Sequence, residues 1–250
     1  MSASFTIHAT GNWGEGSVRA SLVKCTRRVV REVEHEIEVA WSAARQRLGE
    51  RLFDGPMCRL EHFEAMPALL RLDVSPTTYK PFLGTNLTNA TIADRFGSDV
   101  LANPLGLSTA LESADGWLLL GRRNHAVAYH PGRVHPFAGA LEPGPGGSEP
   151  DVFDEIRREL REELRLPVEA IASIRCIGLV EDCALRQPEL IFHALSTRPR
   201  ALIESNLDDA EHHATYAVRA EADAVARAVT DPILTPVAIA TLALWRMHRL

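Results

Sequence analysis

Apolar residues recur along the chain with two different spacings. From Arg28 to Leu48, Val30, Val33, Ile37, Ala40 and Trp41 fall three or four apart with charge between them, the period of an amphipathic helix. SFTIHAT (4–10), MCRLEHFEA (57–65) and ALLRLDV (68–74) are read as strands, the last two divided by Met66-Pro67. TTYKPFLGTN (77–86) carries Pro81 and Gly84 and is read as irregular backbone, followed by a helical turn at TIADRFGSD (91–99). Beyond Asn103 the texture changes. LGLSTALES (105–113), GWLLLGRRN (116–124) and HAVAYHP (125–131) are read as successive strands, with a turn at Ala114-Asp115-Gly116. A glycine- and proline-rich loop, AGALEPGPGGSEP (138–150), leads into a helix from Asp151 that stops at Leu166, before Pro167. Strands at 168–182 and 188–196 and helices at 221–229 and 236–249 complete the chain. The sum is a mixed α/β (α+β) layering with helices packed on a sheet.

The helix after the loop carries three distinct faces. Val152, Ile156, Leu160 and Leu164 form an apolar ladder; Arg157, Arg161 and Arg165 form a second, solvated one. Glu155, Glu159 and Glu163 stack in a third, with Glu162 on its shoulder. Glu162 has Arg158 and Arg165 at helical pairing distance, whereas Glu159 and Glu163 have no base three or four residues away. Like charges at that spacing cost roughly 0.2–0.5 kcal/mol per pair, a small penalty. A solvated acidic face fits the pattern, and so does a site for a hard divalent cation. The order of the residues separates the two.

Arg158-Glu159-Leu160-Arg161-Glu162-Glu163 resembles the R-E-U-x-E-E core of the Nudix box, where U is a bulky aliphatic residue. Upstream, Gly139-Ala140-Leu141-Glu142-Pro143-Gly144 is similar to the G-x-x-E-P-G loop that opens many such boxes. Against the full pattern, G-x5-E-x7-R-E-U-x-E-E-x-G-U, a start at Gly139 puts Pro145 at the loop glutamate and brings Arg158 five residues late. A start at Gly144 keeps the helix in register but puts Pro150 at that position, with Glu149 one residue short. Gly139 with an inserted GPGGS-like stretch is preferred, because loops absorb insertions at little entropic cost. Arg165 stands where the pattern has its late glycine, and Leu166 keeps the final aliphatic.

The resemblance implies a Nudix fold: a mixed sheet sandwiched between helices, the box forming loop-helix-loop, over 103–250. An α/β extension occupies 1–102. It implies hydrolysis of a nucleoside diphosphate linked to another group, with Mg²⁺ (or Mn²⁺) held by Glu159, Glu162 and Glu163. Arg158 orients the carboxylates, and Glu159 is also a candidate for the base. Leu52–Pro56, Thr78–Asn86 and Asn103–Gly106 are similar to segments of the UDP-glucose- and UDP-galactose-hydrolysing Nudix branch. That similarity implies cleavage of a UDP-sugar to UMP and sugar 1-phosphate. Another nucleotide (ADP-ribose, a dinucleotide, coenzyme A) and a non-catalytic nucleotide-binding domain stand as alternatives.

Four positions are expected to touch such a substrate besides Gly139. Thr85 and Asn86, in a glycine-permitted turn, offer hydrogen bonds to a base or ribose, or else simply join extension to core. Arg122 or Arg123 is expected to clamp a phosphate, strand alternation allowing only one of them. Glu181, Asp182 and Glu189 are candidates for a further cation ligand, each read first as a plain surface acid. His212 and His213 are adjacent, so their side chains diverge in a strand, and they are read as ordinary loop histidines.

Charge and composition add exclusions. A formal net charge of -6 argues against a nucleic-acid binder. No apolar run reaches membrane-spanning length, and the N-terminus has no basic start followed by an apolar stretch. Cys25, Cys58, Cys176 and Cys183 show no C-x-x-C pairing and are expected as free thiols of a cytoplasmic protein. Oligomeric state is not readable.

Overall fold

In a computed structural model of the chain, residues 4–125, 127 and 129–249 are described. The strands and helices, in order, begin with β1 (Phe5–Trp13), β2 (Val18–Leu22), α1 (Arg31–Leu48), β3 (Pro56–Met66), β4 (Leu69–Thr78), α2 (Tyr79–Phe82) and α3 (Ile92–Phe96). They continue with β5 (Gly106–Glu112), β6 (Trp117–Arg123), β7 (Val134–His135), β8 (Phe137–Ala140), α4 (Val152–Leu164), β9 (Ile171–Asp182) and β10 (Gln187–Ser196). The last are α5 (Arg200–Glu204), β11 (His212–Arg219), α6 (Ala222–Ala228) and α7 (Pro236–Met247).

The main sheet runs β1-β9-β10-β5-β6-β11, with β7 pairing β6 and β8 pairing β5; β10 and β5 are parallel. Its central strands are buried on both faces, and alternate residues enter different cores. Leu190, Phe192 and Ala194 join the layer that contains α4, while Ile191 faces α7. The α4 layer also takes in Leu70, Leu72 and Val74 of a second sheet, β2-β4-β3. The apolar pattern implies helices packed on a sheet, and the resemblance implies the mixed sheet between layers seen here.

Several details differ from the sequence expectation. The division expected at 102/103 does not coincide with the division between sheets, because β1 pairs with β9 at the edge of the main sheet. Two residues of the strand expected at 125–131, Ala126 and Ala128, lie outside the described residues, and the described remainder is turn and bend. Residues 77–86 are not a loop. β4 runs into α2, and a wide helical turn follows over 83–87. Gly84 permits this, since a Cβ there would stand 2.5 Å from the Ile37 Cα of α1. Asp54 accepts from Lys80 N (2.7 Å) and Gly55 O from Tyr79 N (3.0 Å), so two of the segments quoted above hold each other in place. Among the described residues, no helix is long and apolar enough to cross a membrane.

Candidate active site

Helix α4 is capped at both ends. The Asp151 side chain accepts from Phe153 N and Asp154 N, and acids fill the first turn, where the helix dipole favours them. At the other end Leu166 N reaches Leu160 O (3.2 Å), and Arg165 is left-handed, at φ 48° and ψ 34°. That is the conformation glycine takes at helix ends, which explains the glycine in the family pattern and marks Arg165 as a strained substitute. Val152, Phe153, Ile156, Leu160 and Leu164 pack inward. Arg157, expected in solvent, is instead paired through both Nη atoms with Glu15 of the β1–β2 turn (2.9 Å).

Two of the three box acids are carried inward too. Glu159 is only 9 % exposed and lies against β8, where a Cβ on Gly139 would stand 1.9 Å from Glu159 Oε1. Burial pushes its carboxyl up to about 8, with Arg158 opposing and Glu163, Glu155 and Glu162 adding to the rise. Glu163 is 6 % exposed; Ala138 N donates to its Oε2 (3.1 Å), and His212 Nε2 lies 2.9 Å from its Oε1. Burial, then Glu211, raises this carboxyl well above the usual range. Glu162 stays at the surface.

Arg158 is the hub of this helix face. Its Nη2 reaches Glu159 (2.6 Å) and Glu155, its Nη1 reaches Glu162 (2.7 Å), and Glu142 of the loop stands 3.6 Å away. One guanidinium is thus shared among four carboxylates. Of the loop's acids Glu142 and Glu149, Glu142 is the one that stands beside Arg158 of the helix. The intervening stretch closes on itself: Gly144 and Ser148 form a bridge, with Gly144 N donating to Ser148 O (3.0 Å). The insertion therefore leaves the helix and β8 in contact.

Two cavities meet at Glu211. One, of about 310 Å³, is lined by Glu159, Glu162, Glu163, Asp208 and Glu211. The other, of about 200 Å³, runs under Gly139 to Arg123, Tyr129, His135 and Glu189. A larger cavity of about 650 Å³ lies elsewhere, by Trp13 and Arg175, but its acid, Glu15, is already paired with Arg157. Perturbed acids beside a concavity, rather than volume, point to the α4 face.

No family model matches the chain. It is similar to the human protein named uridine diphosphate glucose pyrophosphatase NUDT22, at 30% identity over 193 residues, 60% of this chain and 63% of that protein. The bovine protein of the same name is 28% identical over 235 residues, 76% of this chain and 80% of that one. The match thus spans less than two thirds of the human relative's length. Among solved structures, a NUDIX-family hydrolase from Clostridium perfringens aligns at 10% identity with a TM-score of 0.37, covering 59% of this chain and 99% of that one.

Around helix α4, the remaining sequence candidates separate. Arg123 is buried and lines the smaller cavity, its Nε donating to Tyr129 O (2.8 Å) and its Nη2 lying 3.7 Å from Glu211; Arg122 points to solvent. Thr85 and Asn86 do not face a cavity. Thr85 Oγ1 donates to Pro81 O and accepts from Ala102 N, while Asn86 bonds Asn103, Leu185 O and Arg186 O. Asn86 thus joins this segment to the turn between β9 and β10, and Thr85 pins the segment to Ala102. Asp182 and Glu189 are not surface acids. Glu189 is buried over Gly106, takes a hydrogen bond from Ser108, and is pushed up to about 7 by burial. Asp182 accepts from Ala184 N and Leu185 N and closes its own turn.

Sequence reasoning missed Glu211 and His212. Glu163, Glu211 and His212 bring ligand atoms within 4.8 Å of one another. The available signal was the adjacent histidine pair: divergence of neighbours sends His212 into the core and leaves His213 outside.

Proposed function

We propose that this chain is a Mg²⁺-dependent diphosphatase that cleaves a UDP-sugar, UDP-glucose or UDP-galactose, to UMP and sugar 1-phosphate. The observation that carries the reading is the pair of buried carboxylates, Glu159 and Glu163, beside Glu162 and Glu211 on one cavity, with only Arg158 and Arg123 near to balance them. Hard oxygen donors held together without matching charge suit a divalent cation, and Mg²⁺ typically pairs one or two carboxylates with substrate phosphate. Glu159, Glu162, Glu163 and Glu211 are the residues to hold it. When bound, such a cation neutralises the two phosphates and favours attack of water at phosphorus.

The chain's own groups supply the rest. Arg158 holds Glu159 and Glu162 in place and does not face substrate. Arg123, buried beside the second cavity, would offer its guanidinium to a phosphate oxygen. Met57 and Phe82, from the first hundred residues, give the same cavity an apolar wall for base or sugar. The names of the human and bovine relatives support the uridine nucleotide-sugar assignment.

The test is incubation of the purified protein with UDP-glucose and Mg²⁺, then separation of products. UMP and glucose 1-phosphate are expected. Faster turnover of ADP-ribose, a dinucleotide or coenzyme A would move the substrate and keep the chemistry. No product in Mg²⁺ or Mn²⁺, with nucleotide still raising the melting temperature, would make this a binding domain.

A further inference from the structure

His212 lies outside the box, and the fold has made a slot for it. It opens β11, is fully buried, and lies across the strand pair from Arg123. The register between β11 and β6 slips between His212 and Ala214, so His213 is the extra residue of a bulge. Phe137 meets the ring edge to face, the centroids 5.3 Å apart. On the other side Gly121 leaves the space open, since a Cβ there would stand 2.2 Å from His212 Nδ1. Nδ1 has no hydrogen-bond partner, and Nε2 is directed at Glu163 Oε1.

A carboxylate that ligates a cation is ionised and only accepts, so the nitrogen facing it then carries the proton and Nδ1 keeps its bare lone pair. Neither nitrogen is then placed to ligate an ion. Nδ1 is closed off by the Gly121 backbone, and Nε2 is engaged with Glu163. We infer that His212 is a positioning residue. Its Nε2–H on one oxygen of Glu163 and the Ala138 N–H on the other fix the carboxylate plane, leaving the free lone pairs for a cation in the cavity shared with Glu159, Glu162 and Glu211. Such partners of ligating groups set their orientation, and losing one typically costs about 10–100-fold in metal affinity.

The inference rests on the cation reading above, and the experiment separates the two. Mn²⁺ binding is measured by electron paramagnetic resonance without substrate, for the wild type, His212→Leu and His212→Gln, each also combined with Glu163→Gln. Melting temperatures are taken without metal. His212→Leu is expected to raise the Mn²⁺ Kd about 10–100-fold, while His212→Gln, whose amide N–H falls near the Nε2–H, stays within about threefold. In the Glu163→Gln background, His212→Leu adds less than about threefold, because the group it positions is gone. In turnover, the His212→Leu defect is relieved by raising Mg²⁺ and leaves KM for nucleotide unchanged. If His212→Leu does not fold, His212→Ala reads the same loss. Unchanged Mn²⁺ affinity on losing the donor, equal damage from Gln and Leu, or an undiminished loss in the Glu163→Gln background each overturns the inference while the cation reading stands. A wild type that binds no Mn²⁺ ends both.

Discussion

Buried carboxylates stand at both ends of β5, and their surroundings differ in kind. At the far end, Glu112 accepts from His193 Nε2 (2.9 Å), Trp245 Nε1 (3.2 Å) and Arg249 Nη2 (2.6 Å to each oxygen). Burial pushes its carboxyl up, but these donors win and hold it at about 2. At the near end, Glu189 packs over Gly106, and Glu159 and Glu163 lie across β8; burial wins at all three and their carboxyls are raised. The difference is supply of positive charge. Arg249 serves one acid, whereas Arg158 is divided among four. A buried acid matched within the chain ties the C-terminal helix to the sheet. A buried cluster left short of charge costs stability and is retained where an incoming cation completes it.

The comparison breaks most visibly at Glu163. Glu163→Gln should lower kcat/KM on UDP-glucose by about 10³-fold, roughly 4 kcal/mol of transition-state stabilisation. Its stability without metal should move by less than about 2 kcal/mol. Losing a carboxyl whose ionisation burial opposes is a gain, partly offset because the new NH₂ faces either His212 Nε2–H or Ala138 N–H. Steady-state kinetics beside urea unfolding in chelator measures both. A variant that loses stability but not activity would put Glu163 in the same class as Glu112.

The two ends should also respond oppositely to pH. Glu189 is raised from 4.5 to about 7, so its stabilising contribution is complete below pH 4.5. It is lost as pH rises toward about 7, because the unfolded chain releases its proton first. Wild type minus Glu189→Gln stability, measured without metal at pH 5 and pH 8, should fall with pH by roughly 3 kcal/mol at most. Glu112, lowered from 4.5 to about 2, contributes above pH 4.5 and loses that contribution as pH falls through about 2. A flat difference curve for Glu189→Gln would mean that the site already holds its own counter-charge.

Glu112→Gln gives the complementary result. It removes the charge that Arg249 and His193 bind and should cost about 2–3 kcal/mol at pH 7, the scale of hydrogen bonds to charged groups. Turnover should change by less than about twofold, since Glu112 is matched by Arg249 and His193 and lines neither cavity of the α4 face.

Much of the near end is legible in the sequence, and the reason is periodicity. One helical repeat both buries Val152, Ile156, Leu160 and Leu164 and stacks Glu159 over Glu163. The inserted loop was legible because its glycines and prolines cannot extend either neighbour. Pairing across the sheet was not. Nothing local shows that β1 joins β9, or that Glu189 lies in a strand covered on both faces. Alternation said that one of Arg122 and Arg123 turns inward, but the choice depends on which face of β6 meets the α4 layer, the face of Leu119, and on its pairing with β11, HHATYAVR, which mixes small and polar residues too evenly to declare a period. Thr85 and Asn86 misled because Gly84 suggested a turn, whereas it serves to let α1 come close.

The smallest effect tests whether stability and site chemistry at the near end are separable at all. Arg165 holds a left-handed backbone conformation that costs a non-glycine residue roughly 1–2 kcal/mol. Its one ion pair, with Asp208 at 3.8 Å, is exposed and contributes little. Arg165→Gly relieves the strain but also frees the unfolded chain, so the net gain should be about 0.5–1 kcal/mol. Because Leu166 N still closes on Leu160 O, the last turn that carries Glu163 keeps its geometry. Mn²⁺ affinity should therefore match the wild type within about twofold while the melting temperature rises. If affinity shifts with stability, the orientation of Glu163 depends on how the helix ends, and the shortage of charge alone does not define the site.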